Sequence, residues 1–365
     1  MKAKVKNIVL TLGFVVIIFG YLIISAVLPD KDISYAERRK FTQFPVITIK
    51  SLTNGKFFEE FEKYTPDQSP FREGLRTIKA LSHFYLFNQK DNNGIFVIDG
   101  NAYKLLYPLR ENSVTKAGEK LNEVYNRYLT GMKVYYTVLP EKNTYIKGKY
   151  GYPVIDFERV VKLLKDSVEN MEYINLLDCL DEKDFYKTDP HWAQQNLEKV
   201  VNRLAETMDF VPADFGKYQI NKLYPFYGAY YGQSALPLTP DELIYLTSDA
   251  IKNATAKNPV TGETFPVYNR DKFGGVDSYD LFLNGGLPLI EITNDNANSD
   301  HELIIFRDSS GSSLSPLLIE SYKKITLIDL RYVSTNLVGK YVTFSNQDVL
   351  FMYNIAVLNN SQMLK

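Results

Sequence analysis

The sequence predicts an α/β protein: a mostly parallel sheet covered by helices on both faces, an aromatic β-rich insertion, and one transmembrane helix at the N-terminus. Three observations predict it. Helical periodicity alternates with short apolar runs between residues 112 and 208, and strand patterns return between 303 and 353. Residues 214–300 break that alternation with clustered tyrosines and turn residues. The chain opens on Lys2, Lys4 and Lys6, followed by Ile8 to Leu28 without a charged residue.

That apolar run would be about 30 Å long as a helix, enough to cross a bilayer. Ile24-Ser25-Ala26 is a poor cleavage site, so an uncleaved anchor is expected over residues 1–30. The three lysines place the N-terminus in the cytoplasm and residues 31–365 outside, in the cell envelope. The rest of the chain is globular by composition, with 45% hydrophobic and 23% charged residues overall and a net charge of −1. No basic stripe is visible, which argues against a nucleic-acid partner. One cysteine, Cys179, excludes an intramolecular disulfide and a cysteine zinc cluster, and fits an extracytoplasmic bacterial protein.

Residues 31–110 read as a juxtamembrane arm. Phe57 to Tyr64 is amphipathic, a helix begins near Asp67–Arg72 and runs to about Phe87, and Gly94 to Asn101 forms a β-hairpin. His83 lies among Leu81, Phe84 and Leu86, a surface or core-edge position. Residues 111–213 hold the first part of the α/β domain. Helices are expected over Val114–Leu129, Phe157–Val168 and Pro190–Met208, and strands over Lys133–Leu139 and Tyr173–Leu177. Residues 214–300 read as short strands and loops, a hairpin subdomain or lid. Residues 301–365 complete the α/β domain with strands Leu303–Phe306, Ile325–Leu330 and Val349–Tyr353, and a helical segment through Leu314–Ile319.

Ligands of such sheets bind beyond the carboxyl ends of the strands. Pro140–Asn143 and Phe185–His191 both follow strands. Thr188 or Asp189 is expected to cap the helix starting at Pro190, and Asp189, two residues before His191, can also orient its imidazole. That supplies the base and its orienting carboxylate. The nucleophile is sought after Leu303–Phe306, where Arg307-Asp308-Ser309-Ser310-Gly311 makes a strand–turn–helix junction. Ser309 is nearest the strand end and Ser310 is the second choice. His301 lies before the same strand, some 20 Å from Ser309 at about 3.3 Å per residue.

Asp189-Pro190-His191-Trp192 and Arg307-Asp308-Ser309-Ser310, with Glu37-Arg38-Arg39, Asp67–Arg72, Asp329–Tyr332 and Asp348–Leu350, resemble the bacterial DHHW family. That family is related to alginate O-acetylation proteins and has an SGNH-hydrolase-like domain. The resemblance implies a triad in which Asp189 orients, His191 is the base and Ser309 is the nucleophile. No cofactor or metal is expected. Ser309 N–H, Asn143 and Arg307 are candidate oxyanion or substrate contacts, and Tyr230 and Tyr231 candidate sugar contacts. Two residues depart from the pattern: Pro190 replaces the first histidine, and Arg307 stands where relatives often have glycine.

The implied function is a cell-surface polysaccharide O-acetyltransferase or esterase, partnered by a multi-spanning membrane O-acyltransferase. The alternative is a non-catalytic glycan-binding or scaffold protein of an envelope assembly.

Overall fold

The computed structural model describes residues 2–365, with side chains from Lys4 onward, so Met1 and the Lys2 side chain of the expected cytoplasmic stub lie outside the described residues. The chain divides into two compact units, one holding residues up to Asn92 with Gly232–Pro237, the other Asn93–Tyr231 with Leu238–Lys365. The arm expected over 31–110 therefore parts at Asn92, and its hairpin goes with the α/β unit.

The first unit begins with α1 (Lys2–Val27), in which an 18-residue window within Lys4–Val27 has mean hydropathy 2.7 and no residue buried. Its length and composition suit a membrane anchor or a signal sequence. A ribbon of β1 (Ile33–Ser34) and β2 (Arg39–Lys40) follows, then α2 (Ile49–Thr53), α3 (Lys56–Asp67) and α4 (Arg72–Leu81), which widens into a π turn at Ser82–Leu86. The acidic and basic motifs noted in the sequence meet here. Arg39 donates to both Asp67 oxygens at 2.9 and 2.5 Å, and Arg72 donates to Glu37 at 3.0 Å. The Arg39 hydrogen bonds hold the Asp67 carboxyl well below the usual carboxylate range.

In the second unit, β3 (Ile95–Ile98) and β4 (Asn101–Lys104) form the expected hairpin around Asp99-Gly100, both at positive φ, as a tight two-residue turn requires. Helix α5 (Glu111–Val124) leads to β5 (Val134–Leu139), α6 (Phe157–Ser167), the two-residue β6 (Glu172–Tyr173) and α7 (Glu198–Met208). The insertion contributes β7 (Gln219–Phe226), β8 (Asp241–Thr247), β9 (Thr255–Lys257), β10 (Thr264–Pro266) and β11 (Leu289–Thr293). Then come β12 (Glu302–Arg307), β13 (Lys324–Ile328) and β14 (Asp348–Asn354).

Eight strands form the central sheet in the order β10-β9-β11-β13-β12-β14-β5-β6. The five from β13 to β6 are parallel, and β11, β9 and β10 extend the sheet antiparallel. Most of the insertion's strands are thus continuous with the sheet, while β7 and β8 pair only with each other.

Period-two alternation explains why both faces are covered. On β12, Leu303 and Ile305 join one core with α7 residues Val200, Val201 and Leu204, whereas Ile304 and Phe306 join a second with α5 and α6 residues Leu121, Val160 and Leu164. On β14, Leu350 and Met352 face the first core, and Val349, Phe351 and Tyr353 the second. The Phe306 and Phe351 rings stack 4.4 Å apart.

Three elements differ from the sequence expectation. The strand read at Tyr173–Leu177 stops after Tyr173, because Asn175 Oδ1 accepts from Leu177 N–H at 3.1 Å and turns the chain. The helix read through Leu314–Ile319 is a short α-turn, Gly311–Leu314, followed by a 3-10 turn, Ser315–Leu318, because Pro316 has no N–H for a continuing helix. The helix read from Pro190 begins only at Glu198, behind a 3-10 turn at Gln194–Asn196. Neither Thr188 nor Asp189 caps it, since both are engaged in the loop described below.

Candidate active site

The parallel strands deliver three segments to their carboxyl ends: Glu141–Asn143 after β5, Asp308-Ser309 after β12, and Asn354 closing β14. Asp308, fully buried, braces the last two. Its Oδ2 accepts from Asn354 N–H at 2.7 Å and its Oδ1 from Ser310 N–H at 2.9 Å, fixing the turn that presents Ser309.

The loop carrying the histidine is held by its own backbone rather than by a helix. Phe185 and Trp192 pair across it, and Tyr186 N–H donates to His191 C=O at 3.1 Å. The Asp241 carboxylate accepts from Lys187 N–H and Thr188 N–H, both at 2.8 Å, and from the Thr188 hydroxyl at 2.6 Å. Lys142 Nζ donates to the carbonyls of Tyr186 and Lys187 at 2.7 and 2.9 Å. These partners replace the helical hydrogen bonds that the sequence predicted. Gly228 is required against this loop, because a Cβ there would stand 2.2 Å from Thr188 C=O.

Asp189, fully buried, accepts from His191 Nδ1 at 2.5 Å and from the His191 N–H at 3.1 Å with one oxygen, and from Ala229 N–H at 2.7 Å with the other. His191 Nε2 then lies 2.8 Å from Ser309 Oγ. With Nδ1 protonated toward the carboxylate, Nε2 offers its lone pair to the Ser309 hydroxyl. Ser309 is partly exposed, so the chain of hydrogen bonds runs from a dry carboxylate to an accessible oxygen. Ser310 is buried and its N–H belongs to the Asp308 brace. His301 is exposed at the start of β12, in a cleft with Lys133 and Asp348 at the opposite end of the strands.

The remaining candidate residues are placed otherwise than their side chains suggested. Arg307 is fully buried, with Nη1 3.7 Å from Asp329, and burial pulls its guanidinium below the usual arginine range. It faces the interior, toward Asp329, rather than the partly exposed Ser309 hydroxyl. Asn143 is buried and spends its amide on Lys104 C=O at 2.9 Å. Tyr230 is buried against Ile95 and Ala102, with its hydroxyl 3.5 Å from Glu141. Tyr230 and Tyr231 serve the loop through their N–H groups, which donate to Thr188 C=O at 2.9 and 3.2 Å.

Two residues not singled out from the sequence stand closer to the chemistry. Tyr279, from the insertion, stacks on the His191 ring at 3.8 Å with 8° between the planes. Its hydroxyl donates to Ser313 Oγ at 2.8 Å, which also accepts Trp192 Nε1–H at 3.0 Å. The imidazole is thereby tied to the segment just after Ser309. Removing the ring in Tyr279→Ala should slow acylation of Ser309 about tenfold to a hundredfold, the usual cost of a displaced base. Tyr279→Phe keeps the stack and should stay near wild type in the same stopped-flow measurement.

The second is Glu141, buried, whose carboxyl is pushed up to about 7 by burial and then by the Asp308 carboxylate, against the opposing pull of His191 and Lys142. A raised acid stabilises the fold where it stays protonated. Its contribution is complete below the ordinary value of 4.5 and is lost as pH rises through about 7. Glu141→Gln should therefore flatten the pH dependence of stability, by about 3 kcal/mol between pH 5 and pH 8. Urea unfolding at the two pH values reads this directly.

No protein-family model matches the sequence, and no curated protein is similar to it. Solved structures are. A DHHW family protein from Eubacterium siraeum DSM 15702 superposes with a TM-score of 0.61 at 19% identity, over 75% of this chain and 97% of its own. This chain has the fold of a DHHW family protein. Bacillus cereus PatB1 superposes with a TM-score of 0.57 at 16% identity, over 72% of this chain and 96% of its own. Its structure with a sulfonyl adduct gives the same TM-score and identity. The DHHW resemblance read from the motifs is thus a likeness of fold, α/β with a mostly parallel sheet, spanning nearly the whole of both neighbours.

Proposed function

We propose that the chain is a membrane-anchored, extracytoplasmic acyltransferase or esterase that carries an acetyl group on Ser309 and delivers it to a hydroxyl of a cell-surface polysaccharide. The continuous contact from Asp189 through His191 to Ser309 carries this reading. His191 Nε2 takes the Oγ proton as Oγ adds to the acyl carbonyl, and Ser309 N–H receives the developing oxyanion. The imidazolium then returns its proton to the departing group, leaving an ester on Ser309. A sugar hydroxyl or water, deprotonated by the same nitrogen, adds to that ester and regenerates the serine. Asp189 holds the tautomer and faces the positive ring through both steps.

A sugar acceptor is supported by the aromatic edge beside the loop. Tyr224 and Tyr227 are exposed, and the Tyr227 ring packs 4.6 Å from that of Tyr231, whose N–H holds Thr188 next to Asp189. In this reading α1 is the anchor, the N-terminus is cytoplasmic, and a multi-spanning membrane O-acyltransferase supplies the acyl group. The test is p-nitrophenyl acetate offered with oligosaccharide acceptors. Acetylated oligosaccharide above a Ser309→Ala blank supports the transferase, and acetate alone supports the esterase. Neither product from folded protein contradicts the proposal.

A further inference from the structure

Helix α4 is amphipathic in the inverted sense. Its arginines point inward, Arg72 and Arg76 each with 17% of the side chain exposed and paired with Glu37, and Ala80 is fully buried. The apolar residues on it and beside it point outward: Phe71, just before its start, is 73% exposed, Leu75 49%, Ile78 61% and Tyr85, in the π turn, 81%. These recur at helical spacing, so they form one stripe along α4 and the π turn beyond it. A stripe of this size facing water would be costly, and nothing else in its own unit covers it.

The start of α4 is fastened to the apolar helix α1. Tyr21 Oη and Ser69 Oγ lie 2.5 Å apart, Lys31 N–H donates to Gln68 Oε1 at 2.9 Å, and Gln68 Nε2 returns a bond to Lys31 C=O at 2.9 Å. Tyr64 Oη donates to Asp30 at 2.8 Å. Tyr21 lies six residues inside the apolar stretch that ends at Val27, about 9 Å along the helix axis. Ser69 is therefore level with the outer turns of the anchor, where acyl chains meet headgroups.

We infer that α4 lies in the outer-leaflet interface, with Phe71, Leu75, Ile78 and Tyr85 seated among acyl chains, so that the chain holds the bilayer by an interfacial helix as well as by its anchor. The occupant is lipid rather than a protein groove because the stripe starts at Phe71, two residues from the Ser69 contact with α1, and an aromatic and aliphatic face bordered by the exposed Lys79 is the composition of interfacial helices. The inference rests on α1 being inserted, and is independent of the chemistry at Ser309.

The test uses the full chain in phosphatidylethanolamine–phosphatidylglycerol vesicles, with nitroxides on single cysteines in a Cys179→Ala background. Labels go at Leu75, Ile78 and Tyr85, at Phe14 within α1, and at exposed Lys257. Seating predicts high collision with oxygen and low collision with a water-soluble nickel chelate at 75, 78 and 85, as at 14 and opposite to 257. A lipid signal at 14 with water-like behaviour at 75, 78 and 85 overturns the seating while leaving the anchor standing. Low collision with both relaxants at the three sites also overturns it, and shows the stripe covered by protein. A water-like signal at 14 refutes the anchor and the seating together. Sulfonylation of Ser309 in each labelled variant reports folding and reactivity separately from these outcomes.

Discussion

His191→Ala should lower the rate of Ser309 acylation by about 10⁴-fold to 10⁶-fold, because nothing else in the described site is within 3 Å of the hydroxyl to take its proton. The fold should survive, since the imidazole is held at an edge, between the Tyr279 ring and the Asp189 carboxylate, and contributes little to either large core. Added imidazole should restore part of the rate in His191→Ala and none in Ser309→Ala. A structural defect would not respond to it. Single-turnover kinetics with an aryl acetate, with and without imidazole, makes the comparison.

Asp189→Asn should cost about 10⁴-fold in the same assay. The asparagine amide fits the space but brings an N–H₂ group toward His191 Nδ1, which favours the tautomer with Nε2 protonated. That nitrogen would then be a donor facing Ser309, unable to accept its proton. The amide oxygen then takes the place of Oδ2 and still accepts from Ala229 N–H, while His191 N–H loses its acceptor; the loop keeps its bonds to Asp241 and Lys142. An unfolding midpoint close to wild type beside the large rate loss distinguishes a positioning residue from a structural one.

Much of this site was readable in the chain because its signals are local. An apolar run ending in Arg307-Asp308-Ser309 puts the serine at a strand end whatever the rest of the fold does. The two-residue spacing of Asp189 and His191 brings carboxylate and imidazole together in almost any turn. The parallel sheet followed from alternating helices and strands, and the apolar N-terminal helix from an uncharged run as long as a bilayer is thick.

What was not readable depended on partners distant in sequence. Asp189 looks like a helix cap because caps and orienting carboxylates use the same oxygens. Asp241, more than fifty residues on, and Lys142, more than forty before, show that the backbone around Lys187 is held in a loop. Arg307 looked like a contact for an anionic acceptor, and the inward direction of its side chain is set by Asp329 on the neighbouring strand connection. Among the tyrosines of the insertion, sequence favoured the Tyr230-Tyr231 pair, whereas Tyr279 lies under the imidazole. Composition counts aromatic rings without saying which one reaches the histidine.

The most direct test is the intact mass of the full chain after exposure to an aryl sulfonyl fluoride, the class of adduct seen on PatB1, beside Ser309→Ala and His191→Ala. An activated serine predicts one sulfonyl adduct on the wild type, mapped to Ser309, absent from Ser309→Ala and much slower to form in His191→Ala. Folded wild-type protein that takes no adduct, or an adduct that persists in Ser309→Ala, would contradict a triad at Asp189, His191 and Ser309.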